Sequence, residues 1–438
     1  MAMGKTIFEA SGFLKFTCNL IVEVFMNKQF KDFFKNFIKL FYFRFFLFFP
    51  YFIKIFLRFN STKRNKNCFI IAPTDVGSYG DAAMVGVVAK ECITLGLSPI
   101  VICQKNSWKE ALTLLDLDVP CVEVRHLYSA PLGWLHFIKA VIRYRPSHVM
   151  CIGADVLDGF YSKWRSLSRI SYVDLLSEYS DDARILGFSY KENADKDCTR
   201  YLSYVTHNGV KAFARDSDSC SRMINNNIAV EQSMDLAFLL NSQNYNLPFS
   251  GDFACLNLCL VHYNLYGDEF VGKVKIFFAN VISSSNLNFV FVPHDDRCNE
   301  KGVSDLVLLK EVYESLSPEQ KKRCHVVSDL LTVSQVRCIA GRAKFCIVGR
   351  KHMGVGALGE CTPTMFFEYQ GKQKGLLKLA GLDSELNLLT PESKVSVWNA
   401  QFTKFEKDCT AQEMILKNAM PDILKMAKIN FEGLDSLK

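Results

Sequence analysis

The sequence predicts an α/β protein: two Rossmann-like domains of parallel sheet facing a cleft, preceded by a basic, Phe-rich amphipathic helical segment. Three observations predict it. From residue 67 onward, short apolar runs bounded by polar residues alternate with helical stretches, as buried parallel strands and their crossover helices do. A polar, turn-rich stretch, residues 241–252 (NSQNYNLPFSGD), interrupts that alternation, which then restarts. Residues 1–66 hold twelve Lys/Arg against three acids, together with 17 of the 36 Phe. That excess of nine positive charges exceeds the chain total of +7, so the rest carries a net −2, and the overall charge says nothing of nucleic acid.

The elements follow in order. Between residues 28 and 41, Lys28, Lys31, Lys35 and Lys39 recur at steps of three and four, with Phe33, Phe34, Phe37 and Phe41 around the rest of the helix. The longest uncharged apolar run, 45–53, is broken by Pro50 and bracketed by Arg44 and Lys54. It is less than half of the roughly 20 residues a spanning helix needs. The expectation is a helix lying in the interface of an anionic membrane, with Lys31, Lys35 and Lys39 at the headgroups and Phe34, Phe37 and Phe41 inserted. The alternative is a hydrophobic hairpin that packs on the body or makes an oligomer. Residues 1–66 are thus a membrane-associating segment and linker, 67–243 the first domain, and 244–438 the second with a C-terminal helical tail.

In the first domain, strands are expected over 68–73, 99–103, 148–152, 184–188 and 210–214, with helices over 82–91, 131–144 and 194–205. In the second, strands are expected over 253–261, 288–293, 324–327 and 344–348, with helices over 268–283, 304–315 and 332–341. The stretch from Pro391 onward reads as a helix that crosses back to brace the halves. A ligand would sit in the cleft at the carboxyl ends of the strands. Sixteen Cys at irregular spacing, with no C-x-x-C pair and no cleavable signal peptide, read as buried reduced thiols.

Four places could carry chemistry. Gly77-Ser78-Tyr79-Gly80-Asp81 stands between a strand and a helix, offering backbone N–H groups to an anion through Gly77 and Gly80, or only a turn with Asp81 as a cap. His294 ends a strand in Phe291-Val292-Pro293-His294-Asp295. Arg215 ends another in Ala214-Arg215-Asp216. Gly349-Arg350-Lys351-His352 puts three positive or protonatable side chains at the start of a helix, which is unfavourable unless an anion is bound.

Together with Cys151-Ile152-Gly153-Ala154-Asp155 and Ser233-Met234-Asp235-Leu236-Ala237, these segments, in this order, resemble the polysaccharide pyruvyl transferase family over residues 68–385. The stretch 359–382, with Pro363, Tyr369 and Lys374, is similar to its C-terminal portion. The resemblance implies a GT-B-like fold and transfer of a pyruvyl group from phosphoenolpyruvate to a sugar of a cell-surface glycan or its lipid-linked precursor, leaving a pyruvate ketal and phosphate. The family's R-x-H motif matches Arg350 and His352, and its strand-end arginine matches Arg215. The sequence departs from the pattern at Ala154, inside a glycine triplet, and at Lys351, where the family is apolar.

The expected substrate-binding residues are therefore Arg215, Arg350, Lys351, Gly77, Gly80, Gly153 and Lys374. His352 is the expected acid at C3, and His294 or Asp81 the base for the acceptor hydroxyl. Phosphoenolpyruvate is a co-substrate, no cofactor or metal is called for, and the expected location is the cytoplasmic face of the membrane, peripheral or monotopic. The competing readings are a GT-B glycosyltransferase using a nucleotide-sugar, with Glu368 for the ribose, and a non-catalytic membrane-bound scaffold in glycan assembly.

Overall fold

The computed structural model describes residues 65–434, apart from 75, 106, 107, 114, 131, 330, 370 and 372, together with 50, 53 and 54. The expected membrane-contacting residues Lys31, Phe34, Lys35, Phe37, Lys39 and Phe41 lie outside the described residues. Among the described residues no helix is long and apolar enough to cross a membrane.

The first sheet is built from β1 (Asn65–Ile71), β2 (Ser98–Cys103), β3 (Cys121–Glu123), β4 (Pro146–Ala154), β5 (Asp182–Phe188), β6 (Lys211–Ala214) and β7 (Glu231–Gln232). Every pairing is parallel and the order is 3-2-1-4-5-6-7. All nine residues of β4 and all seven of β5 are buried, as strands covered on both faces must be. The crossovers are α1 (Tyr79–Thr94), α2 (Trp108–Thr113), α3 (Leu132–Tyr144), α4 (Lys163–Ser177), α5 (Lys196–His207) and α6 (Ser217–Asn225). The short β3 and β7 and the helices α2, α4 and α6 add to the expected elements.

The second sheet, also parallel, has the order 10-9-8-11-12-13. Its strands are β8 (Phe253–Leu256), β9 (Asn288–Phe291), β10 (Cys324–Val326), β11 (Cys346–Val348), β12 (Thr364–Phe367) and β13 (Leu388–Leu389). Between them lie α7 (Leu260–Ser284), α8 (Asp305–Glu314), α9 (Pro318–Lys321), α10 (Val333–Arg342), α11 (Lys351–Gly359), α12 (Lys374–Leu379) and α13 (Ser384–Asn387), with α14 (Val395–Lys428) closing the chain.

The expected strand 253–261 is shorter than its apolar run. Asn257 ends it by turning its amide inward: Oδ1 accepts from the N–H groups of Gly349 (3.2 Å) and Arg350 (2.9 Å), and Nδ2 donates to Val292 O (2.8 Å). The chain then enters α7 at Leu260, eight residues earlier than expected, and bends at Gly267, whose φ is +66°. A continuous apolar run does not distinguish buried strand from buried helix.

After α14 the chain returns to the first sheet. Asn430, fully buried, accepts from Gly187 N (3.1 Å) and donates to Met234 O (3.3 Å), while its carbonyl accepts from Arg184 (3.0 Å). Phe431 and Leu434 complete the apolar cluster around Ile70, Met150 and Leu186. The last turn thus belongs structurally to the first half. The fifteen cysteines of the described residues are free thiols.

Candidate active site

A cavity of about 330 Å³ opens between the two sheets, where the turns following β1, β4, β6 and β11 meet. The first half lines it with Thr74, Ser78 and Asp81, with Asp155 and Tyr161, and with Ser162, Arg165, Arg169 and Arg215. The second half contributes Val261, Arg297, Arg350, Lys351, His352 and Tyr369.

The glycine turn is built as expected but used differently. Ser78, not Asp81, caps α1, its Oγ accepting from Asp81 N at 3.3 Å. A Cβ on Gly77 (φ +126°) would come within 2.6 Å of Arg297 Cγ, and a Cβ on Gly80 would run into the His352 ring. The two glycines therefore admit side chains of the second half rather than a ligand. The turn is the seam of the cleft: Ser78 bridges Asp295, Asp296 N donates to Gly77 O (3.1 Å), and Tyr79 OH donates to Asp296 (3.2 Å). Asp81 faces the cavity and accepts from Thr74 Oγ1 (2.6 Å). Burial raises its pKa despite that bond and the nearby Arg297.

Asp235 is the charge centre of the site. Fully buried at the start of a 3-10 turn, it caps that turn by accepting from Ala237 N (3.2 Å). Its Oδ2 lies 3.0 Å from Arg215 Nη1, 3.3 Å from Lys351 Nζ and 3.6 Å from His352 Nε2. Burial alone would raise its pKa, but Arg215, Lys351 and His352 together hold it well below the carboxylate range. Arg215 is further fixed by Ser189 Oγ (2.7 Å) and donates to His352 Nε2 at 3.2 Å. Burial above all takes His352 down to about 4, with Arg215 and Lys351 working against the upward pull of Asp235. In this state His352 is neutral at physiological pH, with Nε2 an acceptor.

The basic trio that the sequence reading expected to need an outside anion is neutralised from within. Arg350 grips Asp305 with two bonds of 2.8 Å and reaches Asp295 at 3.0 Å. Asp295 also holds Arg297 (2.9 and 2.6 Å), and Asp235 serves Lys351. Lys351 is buried, at 3% exposure.

Three other expected site residues lie off the cavity. His294 is buried behind His352 with its ring 5.4 Å from that of Tyr79, its pKa taken to about 3 by burial and by the neighbouring His352 and Arg350; it does not line the cavity. A Cβ on Gly153 would meet Phe188 Cβ at 2.6 Å, so this glycine lets β4 pack on β5. Lys374 is exposed on α12, and neither it nor Glu368 lines the cavity. Ala154, in the place of a family glycine, keeps the left-handed backbone (φ +44°) that glycine adopts most readily.

Arg165, Arg169 and Arg297 line the cavity without having been foreseen. The only trace in the sequence is a capping Ser162 followed by arginines four residues apart, which places them on one face of a helix.

The model of the polysaccharide pyruvyl transferase family matches residues 33–371. The chain belongs to this family of transferases. No curated protein matches the sequence. Similar solved structures include a glycosyltransferase from Rickettsia africae (10% identity, 85% of this chain and 100% of that one, TM-score 0.54). Others are the UDP-GlcNAc 2-epimerase of Neisseria meningitidis bound to UDP-GlcNAc (9%, 84% and 98%, 0.54) and the glycosyltransferase SnogD of Streptomyces nogalater (11%, 85% and 99%, 0.53). At such identities the likeness establishes the fold, which is GT-B-like, so this pyruvyl transferase family member has the expected architecture.

Proposed function

We propose that the protein transfers a pyruvyl group from phosphoenolpyruvate to a sugar of a cell-surface glycan or its lipid-linked precursor, closing a pyruvate ketal. The observation that carries this reading is the meeting of the family's Arg350 and His352 with the strand-end Arg215 on one cavity, with Arg215 and His352 in contact although 137 residues apart in sequence. Guanidinium groups suit the phosphate and carboxylate of the co-substrate.

In this mechanism a proton goes to C3 of the enol while a sugar hydroxyl oxygen bonds to C2. The C2–O bond to phosphate then breaks, phosphate leaving with the electron pair, and a second hydroxyl closes the ketal as it loses its proton. His352 is the proton donor. Burial chiefly, and Arg215 and Lys351 with it, keep it neutral, and the negative charge of phosphoenolpyruvate offsets the field of those two cations. Asp81, whose pKa is raised by burial, takes the proton of the acceptor hydroxyl. Membrane attachment is assigned to residues 1–66, on the cytoplasmic face, through their Lys and Phe side chains.

The test is release of phosphate from phosphoenolpyruvate with a panel of lipid-linked and nucleotide sugars, together with thermal unfolding. A ligand at 100 times its dissociation constant adds about 2.7 kcal/mol. Phosphoenolpyruvate should raise Tm and UDP-sugars should not; the reverse ranking would favour a nucleotide-sugar glycosyltransferase. Converting Lys31, Lys35 and Lys39 to Glu should weaken binding to anionic vesicles by about 1 kcal/mol or more per position. Unchanged binding would remove the membrane assignment.

A further inference from the structure

We propose that the phosphate of the co-substrate is received by Arg165 and Arg169 on the first two turns of α4, leaving Arg215 and His352 to face the carbon that reacts. The inference rests on the pyruvyl-transfer reading above.

Its first support is the distribution of counter-charges. Arg215 and Lys351 share Asp235, while Arg350 and Arg297 are held by Asp295 and Asp305. Arg165 and Arg169 line the same cavity, and among the described residues neither has a carboxylate within ion-pair distance. A dianion gains most where the guanidinium charge is not already balanced, because a balanced pair must be pulled apart before it can serve a ligand.

The second support is burial. Arg169 is 4% exposed, lies over the Tyr128 ring with its Cζ 4.2 Å from the centroid, and donates from Nη2 to Pro73 O at 2.6 Å. Among the described residues its buried Nε has no hydrogen-bond partner. A desolvated, unpaired guanidinium is costly, and burial, to which Arg165 adds a like charge, depresses its pKa. The side chain is nevertheless locked in one place on the cavity wall. That is a preorganised anion receptor whose charge the ligand completes.

The third support is the helix itself. α4 runs for 15 residues after its cap Ser162, which lines the cavity, and has no acid in its first turn. The positive end of its dipole and Arg165 point the same way electrostatically, a combination favourable only with an anion present. The placement also suits the chemistry. When the C2–O bond breaks, the electron pair leaves on phosphate, and two arginines at a helix start stabilise that charge as it develops.

The experiment uses the full-length protein, wild type and the variants Arg165→Glu, Arg169→Met and Arg169→Lys. Inorganic phosphate binding is measured by calorimetry, and phosphoenolpyruvate kinetics with phosphate or pyruvate as inhibitor. Arg165→Glu and Arg169→Met should weaken phosphate binding and raise KM for phosphoenolpyruvate by about ten-fold or more, with inhibition by pyruvate, which lacks phosphate, within about two-fold of wild type. Arg169→Lys, keeping the charge without the planar fork, should fall between.

Phosphate binding unchanged in every one of these variants that folds overturns the proposal, as does loss of pyruvate inhibition in its place. Because Arg165 is exposed, its variant keeps the test decisive even if Arg169→Met folds poorly. Phosphate binding lost with these arginines, but no turnover with any acceptor, would uphold the subsite and remove the pyruvyl-transfer reading. Turnover indifferent to both arginines would do the opposite.

Discussion

Each wall of the cavity carries three cations, yet the two walls are wired differently. On the second half, Arg297, Arg350 and Lys351 are each tied to a buried aspartate, two on their own half and Asp235 reaching across from the other. On the first half only Arg215 is so tied, while Arg165 and Arg169 stand without a carboxylate among the described residues. Cationic residues clustered in sequence, as at 350–352, turn out to be the most neutralised. Those scattered in a helix with no motif remain available. Charge density along the chain is therefore a poor guide to free charge in a site, because counter-ions arrive from distant segments.

The largest effect should come where the walls meet. His352→Ala removes the proton donor and should lower turnover by about 10²–10⁴-fold with little change in bound phosphoenolpyruvate, read by single-turnover kinetics and calorimetry. Near-normal turnover would show that neither wall needs the imidazole. Next, Asp235→Asn leaves Arg215 and Lys351 buried without a full counter-charge, and should cost about 3–5 kcal/mol in urea unfolding. Arg169→Met, which removes an unpaired charge, should cost much less. Equal losses would erase the distinction between the walls.

A pH effect follows, largest in the second half. His262, His294 and His352 are held at about 4, 3 and 4 against an ordinary value of 6.5, chiefly by burial. With the folded value below the unfolded one, the unfolded chain takes up protons first as pH falls. Stability is full above about 6.5 and is lost progressively towards pH 4 and below, by on the order of a few kcal/mol. Replacing His294 with Gln should flatten that acid limb in denaturation measured against pH; an unaltered limb would place the titration elsewhere. The smallest effect belongs to the first wall. Ala154→Gly relieves a left-handed φ worth about 1–2 kcal/mol against the greater chain entropy of glycine, so a gain of up to about 1 kcal/mol in Tm-based stability is expected. A loss would mean the Ala154 methyl packs usefully beside Asp155.

Much of this was legible from residues alone. The alternation of apolar runs with helices specifies parallel sheets because buried strands and crossover helices have distinct lengths and periods, and the polar stretch 241–252 marks the restart. Arg215, Arg350, Lys351, His352 and Asp81 each stand at a strand end or the start of a helix, where the topology collects ligand contacts, and all five line the cavity. What the sequence could not express is partnership. Asp235 serving Arg215 and Lys351, Gly80 yielding to His352, His294 hidden behind the cavity, and Asn430 closing the first sheet all join residues distant in the chain. Such contacts depend on how two sheets and a returning helix are packed, and no local pattern encodes that packing. Arg165 and Arg169 make the point most plainly: their spacing puts them on one helical face, but only the tertiary structure turns that face to the cavity and leaves it without a counter-ion.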